Sequence, residues 1–274
     1  MDTNILPNLD DDSTLFICSG MQRVKQKFLT SHNEKYGSVQ SCIRTNDLEL
    51  VGDGTHLTHF EMIGNFSFDC NNYFESVEIW KNIVNDLGIK VDSVHIHPSQ
   101  DGHKKLWQGY SIIEDPSCVW SDGNIGGYCC EMYVGDLEIG NLVNTLEHST
   151  DVGFGLERLV QVVENKSRVD ETSLFNTELH PIVRDHCRTL ELLWNEKIGP
   201  GNKGRNYICR RLLRRLIRHS NDSFCFNEWI EQEKKFLENR LKIGRRMYRR
   251  YKDKPLDWWW STYGILPEEM DLLK

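Results

Sequence analysis

The 274-residue sequence predicts an α+β chain, and three observations carry that reading. Residues 41–68 read as a long hairpin. A short run ends at Arg44, the turn signal Gly52-Asp53-Gly54 follows, and the return from His56 to Phe68 has apolar and aromatic residues at strand-like intervals. Residues 72–87 instead place Phe74, Val77, Ile79, Trp80, Ile83, Val84 and Leu87 at helical spacing, with Gly88 as the stop. From Glu171 onward the pattern is helical. We therefore expect two domains, 1–170 and 171–274, in a chain long enough to bury a real core.

Charge is divided along the chain more sharply than the net of −8 suggests. Residues 200–254 hold seventeen Lys and Arg against six Asp and Glu, a surplus of +11 on an otherwise acidic body. Such an arm suits a polyanionic partner; a solvated helix face would give the same count. Nine cysteines are scattered without a CxxC pair, and the opening MDTNILPNLDDD has neither a basic nor an apolar leader-like segment. These features fit a reducing, cytoplasmic setting. No apolar run approaches the roughly 18 residues of a membrane span, so no membrane partner is expected.

Taken in order, residues 1–12 read as a polar lead-in, 14–19 as a strand, and Gly20-Met21 as a turn into a short helix carrying Lys25. In the hairpin, the Arg44 guanidinium could grip a phosphate and a carboxylate at once, beside His56, while Phe60 could stack on a purine. An ordinary amphipathic hairpin is the plainer alternative. His95 and His97 share one face of a strand-like run, but no third ligand is spaced to join them. Cys129-Cys130 is not a zinc spacing either. Further on, Asp151 is read as ending a strand, Gly153 and Gly155 let backbone approach a ligand closely, and Leu156-Glu157-Arg158 opens a helix. The glycines also resemble part of a dinucleotide fingerprint, though its third glycine is missing.

The late helices are amphipathic and basic. Over Gly204–His219, Arg210, Arg214 and Arg218 repeat at i, i+4, as do Arg211 and Arg215, beside a stripe of Leu212, Leu213, Leu216 and Ile217. Such a helix needs an anionic neighbour or water. Residues 228–251 repeat the design, with Phe236, Leu237, Leu241, Gly244 and Tyr248 inward and Arg245, Arg246, Arg249 and Arg250 outward.

Three stretches together resemble class II aminoacyl-tRNA synthetases, and alanyl-tRNA synthetases in particular. HLTHFEMIGNFSF is similar to motif 2, DVGFGLERL to motif 3, and TLFICSGMQRVKQKFL to the strand and helix that precede them. The resemblance implies an antiparallel sheet flanked by helices, then a helical domain that docks a tRNA acceptor stem. It implies ATP and Mg²⁺ as cofactors, and alanine or a similar small amino acid as substrate. On the matching positions it makes Arg44 and Arg158 catalytic, with Arg44, His56, Phe60, Glu138 and Arg158 binding ATP and Glu138 also holding Mg²⁺ through the phosphates. Trp120, Asn141, Val143, Asp151 and Gly153 would bind the amino acid. Arg205, Arg210, Arg211, Arg214 and Arg215 would bind tRNA.

The sequence also departs from the family's pattern. The long motif 1 helix is not evident, and neither are the editing and C-terminal domains. Gly140 stands where the family has a tryptophan, a change expected to enlarge or loosen the amino-acid pocket. Gly204 and Ser261 replace an asparagine and an aspartate tied to acceptor-stem identity. Three readings remain open: a minimal enzyme that charges tRNA, a ligase of the same fold that serves another acceptor, and a non-catalytic RNA-binding paralogue.

Overall fold

A computed structural model describes residues 4–8, 11–46, 48–123, 125–145 and 148–274. Within the lead-in expected over 1–12, residues 1–3, 9 and 10 lie outside the described residues. The expected hairpin is present as β1 (Glu34–Ile43) and β2 (His59–Phe68), paired antiparallel from Glu34↔Phe68 to Ile43↔His59. Its loop is long, and Gly52 and Gly54 turn it with φ of 105° and 94°. Arg168 ties the loop down, donating to the carbonyls of Gly52 (2.9 Å) and Asp53 (3.2 Å). The Val169 amide adds a bond to the Gly54 carbonyl at 2.9 Å.

The chain divides into two compact units, Met1–Thr177 and Glu178–Lys274. The first also contains α1 (Lys27–Thr30), α2 (Tyr73–Asp86), β3 (Ser93–Ile96), α3 (Asp101–Leu106), β4 (Ile112–Glu114), β5 (Val119–Asp122), β6 (Ile125–Val134), β7 (Leu137–Thr145), β8 (Ser149–Gly155) and α4 (Leu156–Val163). Its sheet runs β1-β2-β8-β7-β6-β3-β4, with β5 paired to β6. All pairs are antiparallel except β3 with β4.

One face of this sheet is closed by α2, whose Tyr73, Val77, Trp80 and Val84 share a core with Cys130, Met132, Leu142, Val152 and Phe154. Those four positions recur at i, i+4, i+7 and i+11, the stripe a helix needs to cover a sheet. Phe74, Ile79 and Leu87, read above as part of the same pattern, are exposed. Residues 14–19 also differ from the strand expected there. They form no strand; the segment is fastened at Ile17, whose amide bonds Ile5 and whose carbonyl accepts from Ile43. A 3₁₀ turn, Gly20–Val24, follows, and Lys25 lies between it and α1, paired with Asp122 at 2.7 Å.

The second unit is helical: α5 (Pro181–Asn195), α6 (Gly204–His219), α7 (Asn227–Tyr251), α8 (Leu256–Tyr263) and a 3₁₀ segment, Pro267–Leu273. Leu241, Trp259, Ile265 and Leu273 form one core. Among the described residues, no helix is long and apolar enough to cross a membrane.

Candidate active site

Strand alternation sends Cys129, Glu131, Asn141, Val143, Asp151 and Gly153 to the sheet face opposite α2. The register stacks them in rows: Cys129↔Val143↔Asp151 and Glu131↔Asn141↔Gly153. Glu138 joins this face through a bulge. Met132 pairs with Gly140 and Tyr133 with Glu138, so Ile139 is skipped and packs in the core. The extra residue reverses the alternation, which would otherwise point Glu138 at α2.

Asp151 lies within β8 rather than at its end as expected, because pairing with β2 and β7 continues to Gly155 and Phe154. Its half-buried carboxyl meets no hydrogen-bond donor or cation among the described residues. Burial pushes its pKa up to about 7. A carboxyl held this way is prepared for a cationic ligand, whose arrival would favour the ionised form.

Arg44 extends from the end of β1, where its amide donates to the Thr58 carbonyl at 2.9 Å. The exposed guanidinium lies over the Phe60 ring at 4.9 Å, and its Nε donates to the Cys18 carbonyl at 3.0 Å. The rest of the fork is open to a ligand. Arg158, in the first turn of α4, donates from Nη1 to the Glu138 carbonyl (2.7 Å) and carboxylate (3.2 Å). Glu157 beside it is buried and accepts from the Glu61 amide at 3.0 Å, which binds α4 to β2. His56 belongs to the hairpin loop: Asp53 takes its Nδ1 at 2.6 Å, leaving Nε2 as the nitrogen able to meet a ligand. Burial opposes ionisation of Asp53, but bonds from the His56 and Thr55 amides and the His56 ring outweigh it and hold its pKa below the usual carboxylate value.

Trp120 stands opposite Gly127 and packs against two apolar groups, one with Met21, Phe66 and Phe68 and the other with Cys118, Cys129 and Val143. Sequence reasoning missed Met62, whose Sδ lies 2.9 Å from where a Cβ on Gly153 would sit and accepts from the Gly20 amide at 3.3 Å. A side chain at Gly153 would require the Met62 thioether to shift. Glu131 was also missed; burial first, and then repulsion from Glu138, raises its pKa. The expectation for Gly140 is overturned. It faces the α2 side, where a Cβ would come within 2.3 Å of the Phe154 ring, and Phe154 is itself stacked on Trp80 at 4.2 Å. Phe154 fills that space, so the glycine does not widen the face carrying Asp151.

Most of the arginines assigned to tRNA are likewise not at the surface. Arg210 and Arg214 are buried in α6, and both bond Glu233 of α7, at 3.0 and 2.7 Å. Arg214 also reaches Glu269 at 2.6 Å and the Gly264 carbonyl at 2.9 Å. Arg215 is buried and donates to His186 Nε2 at 3.1 Å, while Asp185 takes Nδ1 of the same ring at 2.8 Å. Arg211 faces Glu268 at 3.6 Å. The anionic neighbour that α6 needs comes from its own chain, and a paired guanidinium inside a core cannot also serve as a phosphate surface. Arg205 is half-buried in the first turn of α6. On α7, by contrast, Lys242, Arg245, Arg246, Arg249 and Arg250 are exposed.

Comparison with known proteins agrees with this arrangement. The family model for class II (A) tRNA synthetases matches residues 2–122 and 132–242. The alanine–tRNA ligase of Desulfitobacterium hafniense (strain Y51) is 30% identical over 309 aligned residues, covering 87% of this chain and 34% of that protein. Those of Ehrlichia chaffeensis (31% identical; 77% of this chain, 31% of that protein) and Fusobacterium nucleatum (32%; 77% and 32%) are similar. The chain spans about a third of the length of these curated relatives. With the motif 2 hairpin, the motif 3 strand and helix, and an antiparallel sheet joining them, the chain belongs to the class II (A) tRNA synthetase family.

Proposed function

We propose that this chain activates a small amino acid, alanine in the first instance, as an aminoacyl-adenylate and passes the aminoacyl group to the 3′ end of a tRNA in a cytoplasmic setting. The observation that carries the reading is the Asp151 carboxyl, without a partner among the described residues, on the same sheet face as Asn141 and Val143, with Trp120 packed against Val143. Asp151 takes the substrate ammonium, the Gly153 backbone lies close to it, and Val143 and Trp120 limit the side chain to a small one.

In the reaction a carboxylate oxygen of the amino acid forms a bond to the α-phosphorus of ATP, and the bond to the bridging oxygen breaks to release pyrophosphate. The attacking group is already ionised near pH 7, so no general base is needed. Arg44 spans the carboxylate and the α-phosphate with its open fork, Phe60 stacks on adenine, His56 donates to a phosphate, and Arg158 meets the γ-phosphate. Positioning and charge stabilisation supply the rate. Glu138 offers the hard oxygen that Mg²⁺ prefers beside substrate phosphates, and a bound Mg²⁺ would neutralise phosphate charge there.

The test is amino-acid-dependent ATP–pyrophosphate exchange across the common amino acids without tRNA. Exchange with alanine or another small amino acid is expected, falling about 10³-fold in Arg44→Ala and in Asp151→Ala, which is ~4 kcal/mol of barrier. Normal exchange by either folded variant would overturn the site assignment. For RNA, the exposed face of α7 replaces the buried arginines of α6 as the contact surface in this reading. A second reading, transfer to an acceptor other than tRNA, is favoured by those buried arginines together with Gly204 and Ser261. Exchange without charging of any tRNA would select it.

A further inference from the structure

The β5–β6 hairpin brings together two cysteines that are eleven positions apart. The Cys129 amide donates to the Cys118 carbonyl at 3.1 Å, and both side chains are buried. Glu131 follows on the same face of β6, its Oε1 3.7 Å from Cys129 Sγ. The two sulfurs and the carboxylate oxygen all lie within 4.8 Å of one another. Among the described residues, no other group of three His, Cys, Asp or Glu side chains converges in this way.

We propose that Cys118, Cys129 and Glu131 form a binding site for one zinc-type divalent cation. Tetrahedral zinc, with Zn–S near 2.3 Å, sets its sulfur ligands about 3.8 Å apart, so closing this set onto an ion requires shifts of only about 1 Å. Two thiolates and one carboxylate match a borderline-soft ion, and three protein ligands leave the fourth position for water or a substrate group. The carboxylate is already oriented from outside. Its Oε2 accepts from the Tyr133 hydroxyl at 3.0 Å, and the Tyr133 ring stacks on His95 at 4.1 Å, an outer support of the kind metal ligands carry. An oxidised Cys118–Cys129 pair would leave this oriented carboxylate without a role. Binding displaces the two thiol protons to solvent. Val143 and Asn141 stand opposite Cys129 and Glu131 in the register, so the fourth position, held by water, would face the amino-acid pocket. That placement rests on the proposed function; binding of the ion does not.

The experiment uses the full chain, reduced and stripped of metal, titrated with Co²⁺ in the absence of ATP and amino acid. One equivalent should bind, with a near-ultraviolet thiolate-to-cobalt charge-transfer band and intense visible bands of a four-coordinate ion, and Zn²⁺ should displace it. Cys118→Ser should weaken binding about 100-fold or more. Since Cys118 is a core residue, Glu131→Gln provides the shape-conserving variant, and it should weaken binding while keeping the charge-transfer band. Cys70→Ser, at a half-buried cysteine elsewhere, should change nothing. A folded, reduced protein without the band would overturn the proposal. So would a band unchanged in Cys118→Ser, or a Cys118–Cys129 disulfide in protein purified under reductant. Pyrophosphate exchange is read separately, so either proposal can fail while the other stands.

Discussion

Arg44 and Arg214 show the same side chain in opposite situations. In the first unit Arg44 is exposed, with one backbone acceptor and an aromatic ring as its neighbours, and most of its fork is unspent. In the second unit Arg214 is 1% exposed and bonds Glu233, Glu269 and the Gly264 carbonyl. The same contrast holds for carboxylates, since Asp151 has no partner among the described residues and Glu233 has two arginines. Charge that is satisfied inside a unit holds helices together. Charge left unsatisfied on a sheet face costs stability and is available to a ligand.

The largest effect expected from this contrast is at Arg214. Arg214→Ala would leave Glu233 and Glu269 buried with too few partners, and removing one member of a buried ion network costs about 3–5 kcal/mol. Urea unfolding followed through the tryptophans of α8 should show the helical unit losing that much stability. Apolar replacement of Arg214 together with Glu269→Gln, keeping Glu233 for Arg210, should restore part of it. A loss under ~1 kcal/mol in the single variant would break the distinction between the two units.

Asp151 should behave in the opposite sense. Its folded pKa, raised to about 7 from an ordinary 3.8, means the fold prefers the protonated acid. Below about pH 4 the acid is protonated whether folded or not and the preference has no effect on stability. As pH rises from there to 7, the unfolded chain gives up the proton first and the fold loses stability, reaching a plateau above 7. Asp151→Asn should therefore be more stable than the parent at pH 8 by about 2 kcal/mol, a full three-unit shift being halved for partial exposure, and equal to it at pH 3.5. The parent's affinity for the amino acid should tighten as pH rises towards 7, because an ammonium pairs with the ionised form. An Asp151→Asn gain that is independent of pH would mean the carboxyl is not held protonated.

What could be read from the sequence was local or periodic. The hairpin, the α2 stripe, the opening of α4 and the outward arginines of α7 all repeat within a few residues, so spacing is enough to find them. The misreadings concern distant partners. Nothing near Arg210 or Arg214 announces Glu233 or Glu269, which lie 19 to 55 positions away. The bulge at Ile139 has no local signature, yet it decides that Glu138 shares a face with Asn141. Gly140 misled because a residue's place in a motif does not say which side of the sheet it faces; the Phe154 ring occupies the room that its missing side chain leaves. Cys118 was invisible as a partner of Cys129 for the same reason, since strand pairing, not spacing, brings them together.

The smallest effect, and the one that best separates spent charge from open charge within a single unit, is on α7. Arg246, Arg249 and Arg250 are exposed, and exposed charges away from special geometry change stability by only about 0.5 kcal/mol when replaced. If they meet RNA phosphates, each Gln substitution should weaken binding a few-fold and reduce the salt slope by about one phosphate contact, irrespective of RNA sequence. Pyrophosphate exchange should be untouched. Arg214→Ala gives the control in the other direction, lowering stability first and RNA affinity only as the helical unit unfolds. RNA binding that survives all three glutamines with an unchanged salt slope would remove α7 as the contact surface. Arg210, Arg214 and Arg215 of α6 would not replace it, because they are buried against partners inside the protein.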